Sequence, residues 1–231
     1  MLALFPHGFE EVDAADGIEL VAYTDAAGEE QLWHVFGGAR AEDVAADWND
    51  RWKSFHHPVR VGPFWIGPPW ETPPPDAAAV VIEPGRAFGT GAHPTTRLAV
   101  EFLLELERGS LLDLGCGSGV LSIVAAKLGF APVVAFDADD NAVAATRANA
   151  AANGVCVDVA VADVLEADLP PADVALANIT RPTLEALAPR LRARRLIGSG
   201  YLPTDEVELE GFRHIRRVTR DSWAADLYEA A

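Results

Sequence analysis

Five residues of this chain have the types and spacing for chemistry: Asp113, Gly115, Gly117, Gly119 and Asp137. The glycines alternate in Asp113-Leu114-Gly115-Cys116-Gly117-Ser118-Gly119, directly after the apolar pair Leu111-Leu112. Such a pattern predicts a buried strand that breaks into a tight turn and then a helix over 120–128. Alternate positions without side chains let the backbone lie directly against a ligand. A second apolar run, Val133 to Phe136, ends on Asp137. Its distance from the turn is close to the roughly 20 residues at which an acid grasps a ribose. The unit therefore predicts a site for a nucleoside-like cofactor.

The glycine spacing discriminates among such cofactors. Dinucleotide sites use G-x-G-x-x-G and set a pyrophosphate on a helix N-terminus. The pattern here is G-x-G-x-G, with Asp113 two positions before its first glycine. A carboxylate there repels a phosphate and suits a cationic amino-acid tail. S-adenosylmethionine carries an ammonium, a sulfonium and a ribose diol. Asp137 is expected to accept from the ribose hydroxyls, Gly115 and Gly117 to pass close to the methionine and ribose, and Asp113 to favour the ammonium. Two other readings stay open: a nicotinamide oxidoreductase, disfavoured by the spacing, and a strand–turn–helix that binds nothing or holds a cofactor idly.

Two further segments narrow the choice. Upstream lies Glu83-Pro84-Gly85-Arg86-Ala87-Phe88-Gly89-Thr90-Gly91-Ala92-His93-Pro94-Thr95-Thr96. Downstream, an apolar run from Val174 to Ala177 ends in Asn178-Ile179-Thr180-Arg181. With the glycine turn, these closely resemble the family that methylates the large-subunit ribosomal stalk-base protein, L-eleven (the PrmA family). That family has a G-T-G-x-H-x-T-T loop, a D-x-G-x-G-S-G turn, an acid ending the second strand and A-N-[IL] ending the fourth. All four occur here in order, and the resemblance covers roughly residues 45 to 231.

The resemblance implies an S-adenosylmethionine-dependent protein lysine N-methyltransferase, with lysine ε-amines or the α-amine of the ribosomal protein as acceptors. Thr90, Gly91 and Thr96 would hold the carboxylate end of the cofactor. Asp163, in Ala162-Asp163-Val164, resembles the acid that meets the adenine amino group, although an ordinary loop cap fits it nearly as well. The cofactor contacts map most securely to Thr96, Gly115, Asp137 and Asn178. Asn178 is also the candidate catalytic residue, its amide oxygen orienting the incoming amine. The aromatic that clamps a flat amide or base in N-P-P-Y enzymes is absent from Asn178-Ile179-Thr180-Arg181, which favours a flexible alkyl amine. His93 could accept a proton or serve the loop structurally.

Composition excludes several classes. The net charge is −17, from 35 acidic and 18 basic residues, which opposes sequence-independent binding to nucleic acid or anionic lipid. Long-range attraction would instead favour a basic protein partner. There is no apolar run of membrane-spanning length. The start, Met1-Leu2-Ala3-Leu4-Phe5-Pro6-His7, lacks the basic residue and long apolar core of a signal peptide. The only cysteines are Cys116 and Cys156, too few for a disulfide scaffold or a cysteine metal site. A reducing cytoplasm is expected, and no metal.

These residues need a frame. Apolar runs predict parallel strands at 111–114, 133–136, 155–161, 174–177 and 195–198. Helices are expected over 140–153, capped by Asp140 and closed by Gly154, and over 181–191. Alternation at 212–219 and 222–228 adds a terminal antiparallel pair around Arg220-Asp221. The fold class expected is α/β: a Rossmann-like class I methyltransferase sheet, parallel with a C-terminal antiparallel strand, plus a small α+β N-terminal domain. The segment Pro68-Pro69-Trp70-Glu71-Thr72-Pro73-Pro74-Pro75 reads as a stiff linker. It sets the expected organisation: 1–67 a small substrate-recognition domain of truncated ferredoxin-like type, 68–78 the linker, 79–231 the methyltransferase domain. Strands are expected there at 18–24, 31–36 and on both sides of Gly62-Pro63, with a helix over 41–54.

Overall fold

The computed structural model describes residues 10–14, 17–21, 32, 34–36, 56–84 and 89–231. The chain divides into two compact units, Met1–Arg51 and Trp52–Ala231. In the first, β1 (Glu10–Ala14) and β2 (Gly17–Val21) pair antiparallel, with Glu10 opposite Val21 and Ala14 opposite Gly17. Residues 32 and 34–36 are helical where alternation predicts a strand. Leu32, Val35 and Phe36 also stand at the i, i+3, i+4 spacing of a helix, and so short a run fits both periods. The expected helix over 41–54 and the turn at Ala27-Gly28 lie outside the described residues.

The second unit is built on a seven-stranded sheet in the order β11-β12-β10-β9-β6-β7-β8. Its strands are β6 (Leu111–Leu114), β7 (Val133–Asp137), β8 (Asp158–Val161), β9 (Ala172–Asn178), β10 (Ala193–Tyr201), β11 (Phe212–Arg220) and β12 (Trp223–Ala230). Strands β10, β9, β6, β7 and β8 run parallel, and β12 is antiparallel to both β10 and β11. The central strands are apolar on both faces because helices cover both. Leu111, Leu176 and Ile197 face one core together with Leu98, Phe102 and Ile123. Their neighbours Leu112, Ala175 and Leu196 face the other, with Leu184 and Leu187. At about 25 cal/mol per Å² of apolar surface, these two cores are the dominant stabilising term.

Helices α2 (Val120–Leu128), α3 (Asp140–Ala152) and α4 (Arg181–Leu187) follow β6, β7 and β9. Helix α4 gives way to a 3-10 turn over Ala188–Arg190, at Pro189. The residue capping α3 is Asp139, whose Oδ1 accepts from Asn141 N at 2.9 Å, not Asp140, which is the first helical residue. Gly154 follows the helix end with φ +65°, as expected. Asp221 and Ser222, with φ +47° and +65°, make the tight β11–β12 turn. Helix α1 (Pro94–Glu105) is an addition to the predicted elements; His93 caps it and Pro94 opens it.

A second sheet of three strands joins β3 (Val59–Val61), β4 (Phe64–Gly67) and β5 (Ala78–Val81). The first two flank Gly62-Pro63, as expected. Strands β4 and β5 pair in parallel, from Phe64 opposite Ala78 to Gly67 opposite Val81. The proline-rich segment thus connects two strands of one sheet, and the division between compact units falls at Arg51 and Trp52. Phe64, Ile66, Val80 and Ile82 enter the same core as α1 and α2, which is why contact, not proline content, sets the division.

Candidate functional site

In the large sheet the chain order reverses between β6 and β9: from β6 it proceeds to β7 and β8, then returns to the other side. Ligands of such sheets bind outside the carboxyl ends of the strands at that reversal. The expected site residues stand there in a row. Asp163 follows β8, Asp137 ends β7, Gly115 follows β6, and Asn178 ends β9. Strands are about 4.8 Å apart, so Asp137 and Asn178 are about 10 Å apart across the glycine turn.

The turn itself is tightly tied. Gly115 N and Cys116 N both donate to Phe136 O, at 2.8 and 3.1 Å. Gly117 N donates to Asp137 Oδ2 at 2.9 Å, while Asp137 Oδ1 accepts from Asp139 N at 3.0 Å. Each carboxylate oxygen therefore keeps a lone pair, and the side chain is half-buried at the crevice. Gly115 has φ +80°, and a Cβ there would lie 2.6 Å from Ile179 Cγ2. Glycine is required on both counts. Cys116 and Ser118 point into the core while Gly115 and Gly117 remain partly exposed. Burial pushes the Cys116 thiol up to about 12, so it is an inert wall.

Asp113 is 1% exposed and accepts from Ser122 Oγ at 2.5 Å. Desolvation is the main cause that raises its pKa to about 6, and the Ser122 hydrogen bond opposes it. At neutral pH it is a buried carboxylate held beneath the turn. Asp163 is exposed and caps its own turn, Oδ1 accepting from Leu165 N at 2.8 Å. Ala162 N donates to Asp137 O at 2.9 Å, which sets Asp163 beside Asp137 on the neighbouring strand.

The threonine-bearing loop packs onto the same turn. Ser118 Oγ donates to Gly89 O in a short hydrogen bond. Gly91 has φ +89°, and a Cβ there would meet Ile66 Cγ2 at 2.3 Å. Thr90 is half-buried, while Thr95 and Thr96, in the first turn of α1, are each 1% exposed. His93 caps that helix: its Nδ1 lies 2.7 Å from Thr95 Oγ1 and accepts from Thr95 N at 3.4 Å. Burial lowers its pKa, and its ring packs edge-on against Trp223 with centroids 4.8 Å apart. The structural role for His93 is the one this geometry supports.

Asn178 is half-buried, and among the described residues its carboxamide makes no hydrogen bond. Ile179 N donates to Ser199 O at 3.0 Å, which locks the strand end. Residues absent from the sequence-based set also shape the site. Thr146 Oγ1 donates to Gly117 O at 2.9 Å, and Asn149 Nδ2 to Ser118 O at 2.9 Å. A signal for them existed: Thr146, Asn149 and Asn153 are a polar stripe at helical spacing on an alanine-rich helix. Among the described residues no group of His, Cys, Asp or Glu could hold a metal ion, and no helix is long and apolar enough to cross a membrane.

This strand order, with a G-x-G-x-G turn on β6 and an acid ending β7, defines a Rossmann-like methyltransferase that uses S-adenosylmethionine. The family model for ribosomal protein L11 methyltransferase (PrmA) matches residues 7–225, and the chain belongs to that family. A ribosomal protein L11 methyltransferase of Aeromonas hydrophila is 36% identical over 246 residues, covering 90% of this chain and 84% of the relative. One from Vibrio parahaemolyticus is 44% identical over 182 residues, covering 72% of this chain and 60% of the relative. Among solved structures, a ribosomal protein L11 methylase from Lactobacillus delbrueckii subsp. bulgaricus superposes with a TM-score of 0.67 at 29% identity. That match covers 75% of this chain and 98% of that one.

Proposed function

We propose that this enzyme transfers methyl groups to lysine ε-amines, the α-amine, or both, of ribosomal protein L11, in the cytoplasm and on the free protein. The observation that carries this reading is the row Asp137, Gly115, Asn178 across β7, β6 and β9, together with the substrate in the names of the relatives. When bound, S-adenosylmethionine supplies an electrophilic methyl on a sulfonium, open to displacement by an amine lone pair. The residues present fit that group: Gly115 and Gly117 leave the turn's backbone partly exposed, and Asp137 retains acceptor capacity.

Asp137 would accept from the ribose hydroxyls, and Asp163 would receive the base amino group with the oxygen its turn does not use. Thr90, Gly91 and Thr96 would meet the carboxylate end, with the buried Asp113 favouring the ammonium. Asn178 Oδ1 would accept from one amine N–H and so aim the lone pair at the methyl. A free lysine ammonium has a pKa near 10.4 and must first lose a proton; the apolar wall of Ile179 disfavours the charged form. An α-amine, near 7.7 to 8.0, needs less help. Catalysis is then positioning, and no dedicated base is assigned.

The test is methyl transfer from radiolabelled cofactor to purified L11, with the modified residues mapped by mass spectrometry. Label on L11 amines supports the reading. Label that appears only on another protein or a small amine rejects this substrate while keeping the enzyme class.

A further inference from the structure

We propose that Ser118 and Asn149 are positioning residues that clamp the threonine-bearing loop to the glycine turn and thereby set cofactor affinity. The inference rests on the cofactor reading above. Asn149 is 3% exposed and Ser118 2% exposed. The Asn149 carboxamide bridges two segments: Nδ2 donates to Ser118 O at 2.9 Å, and Oδ1 accepts from Glu83 N at 3.1 Å. Ser118 in turn donates through Oγ to Gly89 O. The stretch that leaves β5 and leads to Thr90 and Gly91 is thus pinned at Glu83 and at Gly89, by two residues bonded to each other.

The neighbouring turns of α3 repeat the arrangement. Asn153 takes Val81 N at 2.9 Å and gives to Val81 O at 2.6 Å, and Thr146 gives to Gly117 O at 2.9 Å. These three side chains lie on one helix face. That face grips the glycine turn and the approach to the loop together. The carboxamide at 149 satisfies both ties at once, its oxygen accepting and its nitrogen donating. Asn178 stands apart on β9, so loosening the clamp should weaken cofactor binding without altering the acceptor end.

Calorimetry with S-adenosylhomocysteine and steady-state kinetics on the full chain test this. Ser118→Ala, which loses its hydrogen bond to Gly89 O, should raise the Kd and the cofactor KM about tenfold. Asn149→Ala, which loses two, should raise them at least as much, with kcat at saturating cofactor within about twofold in both. The double variant should bind little worse than the weaker single one, because the pair acts as a unit. Amide exchange at Thr90 and Gly91 should accelerate in Ser118→Ala. The control is Ser110→Ala, which loses the two hydrogen bonds of the Ser110 hydroxyl with Asp173, at the opposite end of β6; it should lower Tm and leave Kd unchanged. Should Asn149→Ala fail to fold, Ser118→Ala decides alone. Variants that bind within twofold of the parent overturn the clamp and leave the cofactor reading standing, whereas a parent that binds no S-adenosylhomocysteine overturns that reading itself.

Discussion

Asp113 on β6 and Asp137 at the end of β7 are two carboxylates beside one turn with opposite assignments. Asp137 faces the crevice, so Asp137→Ala should weaken S-adenosylmethionine binding by about 1.5–3 kcal/mol, the range for hydrogen bonds to a charged group; titration calorimetry reads this directly. Asp113 is buried with its pKa raised to about 6, so the folded state holds a proton more tightly than the unfolded state does. Its contribution to stability therefore falls as pH rises from about 4 to about 6 and stays low above that. Asp113→Asn keeps an acceptor for Ser122 and removes the buried charge. The variant should melt higher than the parent at pH 7, lose that advantage near pH 4, and bind cofactor more weakly. At the acceptor end, Asn178→Ala should cut turnover by roughly two orders of magnitude, as expected for a lost positioning contact, and weaken cofactor binding as well, in keeping with its place among the cofactor contacts. Undiminished turnover would place the amine elsewhere.

At the scale of elements, β10, β11 and β12 are held together by one buried acid. Asp226 on β12 is fully buried and accepts from Arg217 Nη2 at 2.8 Å, from Tyr201 at 2.8 Å, and lies 2.9 Å from His214 Nε2. Burial alone would raise its pKa, but the hydrogen bonds from Arg217, Tyr201 and His214 outweigh it and hold the carboxyl below its usual range. Stability from this group is present above about pH 3.8 and is lost as pH falls through the depressed value. Arg217→Met leaves the charge poorly compensated and should cost about 3 kcal/mol, read as a drop in Tm that shrinks in acid. The strand and helix order of residues 111–231 was legible because apolar runs and alternating stretches are punctuated there by Gly or Asp. The parallel pairing of β4 with β5 was not legible, since prolines between two short strands look alike whether they separate domains or join strands. Residues 31–36 failed for a related reason: six residues carry both periods.

At the scale of the molecule, the unit Met1–Arg51 is compact by itself, and we propose that it captures the substrate. Deleting residues 1–51 should leave S-adenosylhomocysteine affinity within about twofold, as expected when no cofactor contact is removed. Methylation of ribosomal protein L11 should be abolished. Full methylation by the truncated enzyme would assign capture to the large unit instead.

The glycine turn, the strand-end positions and the family could be read from the residues alone, because they depend on local backbone requirements and on residue types at fixed spacing. The turn demands glycine at 115 through its positive φ, and the acid at 137 ties the turn by accepting from Gly117 N. Tertiary contacts alone settled that Asp113 lies beneath the turn rather than in the crevice, that Asp139 and not Asp140 caps α3, and that Asn149 of α3 bonds both Ser118 and Glu83. Those outcomes depend on burial and on which donor meets which acceptor across large sequence separations. Linear spacing carries no such information until the sheet has closed and both of its faces are covered.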